Sequence, residues 1–175
     1  INPPDVFFLQ VPPPDENGMC SYGLNADYSV ACAESAKKLI IQINKNLPFS
    51  YGASISLDKA AVILEADEEI IEIPPTPVQA TERAMAEFIA PMIRDGDCLQ
   101  LGVGGTPDAI LSTLWDKKDL GIHTELFSDG VVDLYNAGVI TNQRKTYQKG
   151  KFVTNFIIGT KKTFDFVDRN PDVLI

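Results

Sequence analysis

From Cys98 onward, β-favouring apolar runs alternate with helix-forming stretches, and no other feature of the chain constrains its fold as strongly. Cys98 to Val103 reads as a strand, Gly102-Val-Gly-Gly-Thr-Pro107 as a tight loop, and Asp108 to about Trp115 as a helix. Ile122 to Phe127 follows as a strand, Val131 to Asn136 as a short helix, and Phe152 to Ile158 as a strand. Thr160 to Arg169 is then a helix that stops at Asn170-Pro171. Strands joined through helices in this way imply βαβ crossovers and an α/β fold with an open, mainly parallel sheet. The last residues, Val173-Leu-Ile175, look like the start of another strand, so the sheet is expected to be incomplete.

The first half carries weaker alternation. Val6 to Val11 is a β-favouring run stopped by Pro12-Pro-Pro14, and Asp15-Glu-Asn-Gly18 is a turn signal. Asn25 or Asp27 can cap a helix running to about Lys38, with Leu39–Ile43 and Ala60–Leu64 as further strands. At Ile73-Pro-Pro-Thr-Pro-Val78 the composition shifts, and three prolines in four positions favour an extended connector. We therefore expect residues 1–72 to be the C-terminal part of a first α/β domain, 73–78 a linker, and 79–175 the N-terminal part of a second, catalytic one. Both ends are expected to be truncated. Past the linker, Met85, Phe88, Ile89 and Met92 recur at helical spacing and give an amphipathic helix ending near Asp95-Gly96.

Charge narrows the function. With 24 acids against 15 bases the formal charge is −9, and no basic stripe suits a phosphate backbone, so nucleic-acid binding is not expected. No apolar run approaches the roughly 20 residues of a membrane-spanning helix. The three cysteines, Cys20, Cys32 and Cys98, form no CxxC pair, which argues against a zinc site or disulfide framework and suits a reducing, cytoplasmic setting. Cys98, within an apolar run, is expected to be a buried small hydrophobe. A His-based metal site or a Ser–His–Asp triad would depend on the single histidine, His123, and no supporting constellation accompanies it.

In an open α/β sheet, ligands bind beyond the carboxyl ends of the strands. Two features fall there. The glycines of Gly102-Val-Gly-Gly-Thr106 would let backbone N–H groups approach a ligand, although Pro107 stands where a dinucleotide fingerprint needs its third glycine. Spacing alone leaves a ligand loop and a plain tight turn equally open. Glu125 lies near the end of the next strand and shares a face with His123, with Thr124 opposite. It could be a nucleophile, a general base, a metal ligand or a solvated carboxylate.

The run Gly102-Val-Gly-Gly-Thr-Pro-Asp-Ala-Ile110, followed by Asp116-Lys-Lys-Asp-Leu-Gly-Ile-His-Thr-Glu-Leu-Phe-Ser-Asp-Gly130, resembles the acetyl-CoA hydrolase/transferase family. Within it the resemblance is to the 4-hydroxybutyrate and butyrate CoA-transferases. Val139-Ile-Thr-Asn142, Gly159-Thr160, Asp165-Phe-Val-Asp-Arg-Asn-Pro171 and Val11-Pro-Pro-Pro-Asp15 continue it over nearly the whole chain. The resemblance implies two subdomains of a CoA-transferase-like fold and a ping-pong transfer of CoA between an acyl-CoA and a small carboxylate. Glu125 would form a covalent glutamyl-CoA thioester, and Gly102, Val103, Gly104, Gly105 and Thr106 would contact coenzyme A. It implies no permanently bound cofactor and no metal, and it is compatible with a homodimer. Lys117, Lys118, Lys161 and Lys162 are candidates to reach CoA phosphates, against the plainer role of solvated surface. Glu16-Asn-Gly18 resembles the Glu-Asn-Gly motif of a related CoA-transferase group, but without a glycine loop before it. A CoA-ester hydrolase on the same scaffold and a non-catalytic CoA-binding module are the rival expectations. The family's second glycine-rich segment has no counterpart here, so the piece by itself is expected to lack part of its site.

Overall fold

The computed structural model describes residues 2–175. The elements run β1 Val6–Val11, β2 Met19–Ser21, α1 Tyr28–Ser35, β3 Lys38–Ile43, β4 Ser54–Ser56 and β5 Val62–Glu65 in the first half. The second half holds α2 Ala80–Ile89, β6 Cys98–Leu99, α3 Gly105–Leu111, β7 Gly121–Ile122, β8 Leu126–Phe127 and α4 Asp129–Asn136. It ends with β9 Phe152–Val153, β10 Phe156–Ile157, α5 Lys161–Val167 and β11 Val173–Leu174. Strands β1, β3 and β5 form a parallel sheet with β3 central, and β2 pairs antiparallel with β4. In the second half β6 pairs with β7, β8 with β10 and β9 with β11, all parallel. The fold is thus mixed α/β with mainly parallel sheets and flanking helices.

Two apolar clusters stand on either side of the proline-rich segment in sequence. The first gathers Leu9, Val11, Cys20, Leu39, Ile41 and Ile55, the second Leu111, Leu120, Ile122, Phe127, Leu134 and Phe152 among others. In the second, Phe127 meets Phe152 edge-on at 5.2 Å and Phe166 stacks on Phe127 at 5.9 Å. Edge-to-face aromatic pairs of this kind contribute roughly 0.5–1.5 kcal/mol beyond their buried area, and they anchor β8.

Residues 66–79 carry neither helix nor strand. The segment is tied down where it passes β10 and α5: the Ile73 N–H donates to the Gly159 carbonyl at 2.9 Å, and the Lys161 N–H to Glu72 Oε2 at 2.9 Å.

Several sequence expectations are corrected. The α1 helix stops at Ser35, short of Lys38, because β3 begins there and its rung with Val6 fixes Lys38 as extended. Asp27 is its N-cap, accepting from the Ser29 N–H at 3.2 Å. The α2 helix is amphipathic, but Met85, Phe88 and Met92 are exposed; the small Ala86 on its other face is fully buried, where α2 lies against α3. Cys98 is exposed rather than buried, since β6 pairs only with β7 and lies at the edge of its sheet. No helix among the described residues is long and apolar enough to cross a membrane.

Candidate active site

The glycine run is partly loop and partly helix. Gly104, at φ 130°, is the N-cap of α3, so Gly105 and Thr106 already lie in its first turn. Pro107 reads from sequence as the end of the loop, yet the first turn of a helix leaves its N–H groups without intrahelical partners and tolerates proline. The helix therefore starts three residues earlier than spacing predicts and ends at Leu111 instead of near Trp115.

The three glycines stand in different surroundings. A Cβ on Gly105 would fall 2.2 Å from Glu82 Oε1, the acid that closes the capping box of α2 by accepting from the Gln79 N–H at 2.8 Å. Gly104 needs glycine for its positive φ. Gly102 has neither reason: its backbone is ordinary and a Cβ there would meet nothing within 4 Å. Packing explains Gly105 and conformation explains Gly104, while Gly102 faces open space.

Glu125 lies at a break between β7 and β8. Its side chain is exposed, and among the described residues it takes part in no ion pair. Its carbonyl accepts from the Thr154 hydroxyl at 3.0 Å. The next residue, Leu126, donates its N–H to the Leu101 carbonyl at 3.3 Å, so Glu125 and Gly102 flank one rung. Before it, the His123 N–H bonds the Leu99 carbonyl at 3.0 Å, and the exposed His123 ring stacks on Tyr147 with centroids 6.0 Å apart.

On the Leu126 side, a mostly apolar cavity of about 290 Å³ opens between the proline segment and the glycine loop. Pro74, Pro75, Val103, Gly104, Gly105 and Asp108 line it, together with Leu126, Ser128, Asp129 and Gly159. Val103, Gly104 and Gly105 are thus brought together in one wall, whereas Gly102, Thr106 and Glu125 do not line it. A larger cleft of about 610 Å³ carries Glu69, Glu72, Asp165 and Asp168 against Lys45 and Lys161. Such an acidic lining is a poor match for an anionic ligand.

Two carboxylates of the cavity, which sequence reading left aside, are pushed in opposite directions. Burial raises Asp108, and the negative charges of Asp129 and Glu82 add to it, while the Ser128 hydroxyl acts the other way; its carboxyl lies above the usual value. Burial also acts to raise Asp129, but donors from Thr163 and Thr160 and the Lys162 ammonium outweigh it, leaving that carboxyl below the usual value. Asp129 accepts the Thr160 N–H at 3.0 Å and the Thr160 hydroxyl at 2.7 Å. These partners are about thirty residues away in sequence, and no local motif announces them.

The lysines fare unevenly. Lys161 pairs with Asp165 and Lys162 with Asp133, whereas Lys117 and Lys118 enter no ion pair among the described residues. Glu16 is exposed in its turn, whose frame is set by Asp15 accepting the Asn17 and Met19 N–H groups at 2.9 Å each. No cluster of three or more His, Cys, Asp or Glu among the described residues is placed to hold a metal ion.

The chain is 47% identical over 172 residues to the 4-hydroxybutyrate coenzyme A transferase of Clostridium kluyveri, a match covering 98% of this chain and 40% of that protein. It is homologous to CoA-transferases. The succinyl-CoA:acetate/propanoyl-CoA:succinate CoA transferase of Fasciola hepatica is 42% identical over 171 residues, 97% of this chain and 36% of that one. The crystal structure of a 4-hydroxybutyrate CoA-transferase from Porphyromonas gingivalis superposes with a TM-score of 0.92 at 43% identity, over 98% of this chain and 44% of that one. No family model matches. The chain spans about 40% of the length of the curated CoA-transferases it matches.

Proposed function

We propose that the chain is the part of a CoA-transferase that carries the reactive carboxylate, Glu125. The observation that supports this best is the rung between Leu126 and Leu101, which sets an exposed glutamate beside the start of a glycine loop whose Gly102 faces open space. The substrates on this reading are a short-chain acyl-CoA, such as 4-hydroxybutyryl- or butyryl-CoA, and a carboxylate such as acetate. The names of the homologues support that class. Coenzyme A is then substrate and covalent intermediate; a cytoplasmic homodimer is the setting, with residues 1–72 and 79–175 belonging to two subdomains.

The chemistry divides one exchange into two. A Glu125 oxygen attacks the acyl-CoA carbonyl, the C–S bond breaks, and a mixed anhydride and CoA thiolate result. The thiolate then attacks the glutamyl carbonyl and releases the acyl group as a carboxylate, leaving a glutamyl-CoA thioester. A second carboxylate reverses both steps and leaves as its CoA ester. A nucleophilic carboxylate must carry its charge, which an exposed position favours over an apolar pocket. Backbone N–H groups of residues 102–106 are the proposed donors to the oxyanion and contacts to CoA.

The test is mass spectrometry of the intact protein that carries this chain, after incubation with butyryl-CoA. A CoA adduct on the peptide bearing Glu125, absent in Glu125→Ala, is expected. An adduct on Glu16, or none at all, would overturn the assignment. Turnover that continues without acetate would show a hydrolase, and binding without any adduct a CoA-binding module.

A further inference from the structure

Lys145 is a buried lysine with no carboxylate beside it. It is 7% exposed and takes part in no ion pair among the described residues. Its Nζ donates instead to two backbone carbonyls, of Ile122 at 2.7 Å and of Lys151 at 2.6 Å. Its stem lies over Gly121, where a Cβ would come within 2.6 Å of Lys145 Cγ. Burial disfavours the ammonium and holds it below the usual lysine range, with the nearby Cys98 acting the other way. A methionine would fill the same space without that penalty, so the two hydrogen bonds are what an ammonium adds here.

Those bonds fall at a particular place. The Ile122 N–H donates to Asn142 Oδ1 at 2.8 Å, so both backbone polar groups of Ile122 are held by side chains of one turn. On the side of β7 away from β6, that turn fills the gap between two bridges, Leu120 with Ile140 and His123 with Val153, where no strand pairs with Ile122. The same loop touches the next residue as well, through Tyr147 on His123. Three residues after Ile122 comes Glu125.

We propose that Lys145 is a positioning residue: by tying Ile122 to the carbonyl of Lys151 it sets the course of the strand break on which Glu125 stands. The inference rests on Glu125 being the nucleophile. Its removal would let the break shift relative to the glycine loop, and displacements of about 1 Å at a reacting group can cost roughly 100-fold in rate.

Lys145→Met and Lys145→Arg in the intact protein that carries this chain test it, with Glu125→Ala as control. For Lys145→Met, kcat is expected to fall roughly 10–100-fold with KM for acyl-CoA changed less than about threefold, and arginine to restore part of kcat. Hydrogen exchange of the 122–126 amides should quicken while that of β1 and β3 stays unchanged. A folded Lys145→Met protein with kcat within about twofold of wild type and unchanged exchange overturns the proposal. Should Lys145→Met not fold, Lys145→Gln, which keeps one donor group, is read in the same way. If Glu125→Ala retains activity, the nucleophile assignment fails, while exchange at 122–126 still reports separately whether Lys145 holds the strand.

Discussion

The Thr124 hydroxyl stands in for a strand rung at Leu101: it accepts from the Leu101 N–H at 2.7 Å and donates to the Leu101 carbonyl at 3.0 Å. Backbone pairing lapses between β7 and β8, and this side chain bridges the lapse. It leaves Glu125 free of the ladder on one side while Leu101, one residue before the glycine loop, stays fixed. Thr154 does the corresponding work on the other side, through the Glu125 carbonyl.

Thr124→Val keeps the shape of the side chain and removes the hydroxyl. The Leu101 carbonyl would retain the Leu126 N–H, but the buried Leu101 N–H would lose its partner. Leaving a buried donor unpaired costs about 1–3 kcal/mol. Urea denaturation should show a loss of that size for Thr124→Val and a much smaller one for Thr124→Ser.

Asp108 and Asp129 should give stability profiles of opposite sign. Asp129 is held low, so its contribution is present above the unfolded carboxylate range and disappears as pH falls through its lowered native value. Asp108 is held high, so it opposes folding when ionised, and that opposition is relieved as pH falls through its raised value. Asp108→Asn should therefore stabilise the protein at neutral pH, with the gain vanishing at acid pH. Asp129→Asn should destabilise it at neutral pH and matter progressively less in acid. Denaturant midpoints measured across pH check both, and equal slopes for the two variants would contradict the assignment.

Cys20 is fully buried, and burial followed by the negative charge of Asp15 raises its thiol to about 11. The thiolate is the reactive form. Iodoacetamide at neutral pH should leave Cys20 unmodified in the folded chain and label it once denaturant is added, as peptide mass mapping would show. Labelling of Cys20 at the rate of the exposed Cys98 without denaturant would mean that the first core opens readily.

What sequence made legible was the local part. Periodicity located β1, β3, α4 and α5 to within a few residues, because each is specified by its own apolar spacing, whereas α2 ends at Ile89, well short of the expected Asp95. It misplaced the start of α3, since Pro107 fits a first helical turn as well as it fits a loop. It drew residues 122–127 as one strand, because a threonine that replaces a rung looks like any β-branched strand residue. It took Cys98 as buried, since nothing in a single strand's composition tells an edge from a centre. The cavity carboxylates and Lys145 escaped because their partners come from distant segments: Thr160 for Asp129, Ile122 for Lys145. The resemblance, by contrast, implies one role for Glu125 through the order and spacing of motifs, where local physics leaves several.

The glycine loop allows a last prediction that separates packing from ligand contact. Gly105→Ala would drive a Cβ into the Glu82 carboxylate and disturb the capping box of α2, so it should lower stability. Gly102→Ala meets nothing within 4 Å and needs no unusual φ. Replacing glycine by alanine at a compatible position stabilises by about 0.4–1 kcal/mol through the unfolded chain. Gly102→Ala should thus melt at or above the wild-type temperature. If CoA passes close to that backbone, the added methyl should raise KM for acyl-CoA all the same, by roughly tenfold for about 1.4 kcal/mol of lost contact. Raised stability with weakened substrate binding would mark Gly102 as open for a ligand. Raised stability with unchanged KM would return the loop to a plain turn and leave CoA to be held elsewhere.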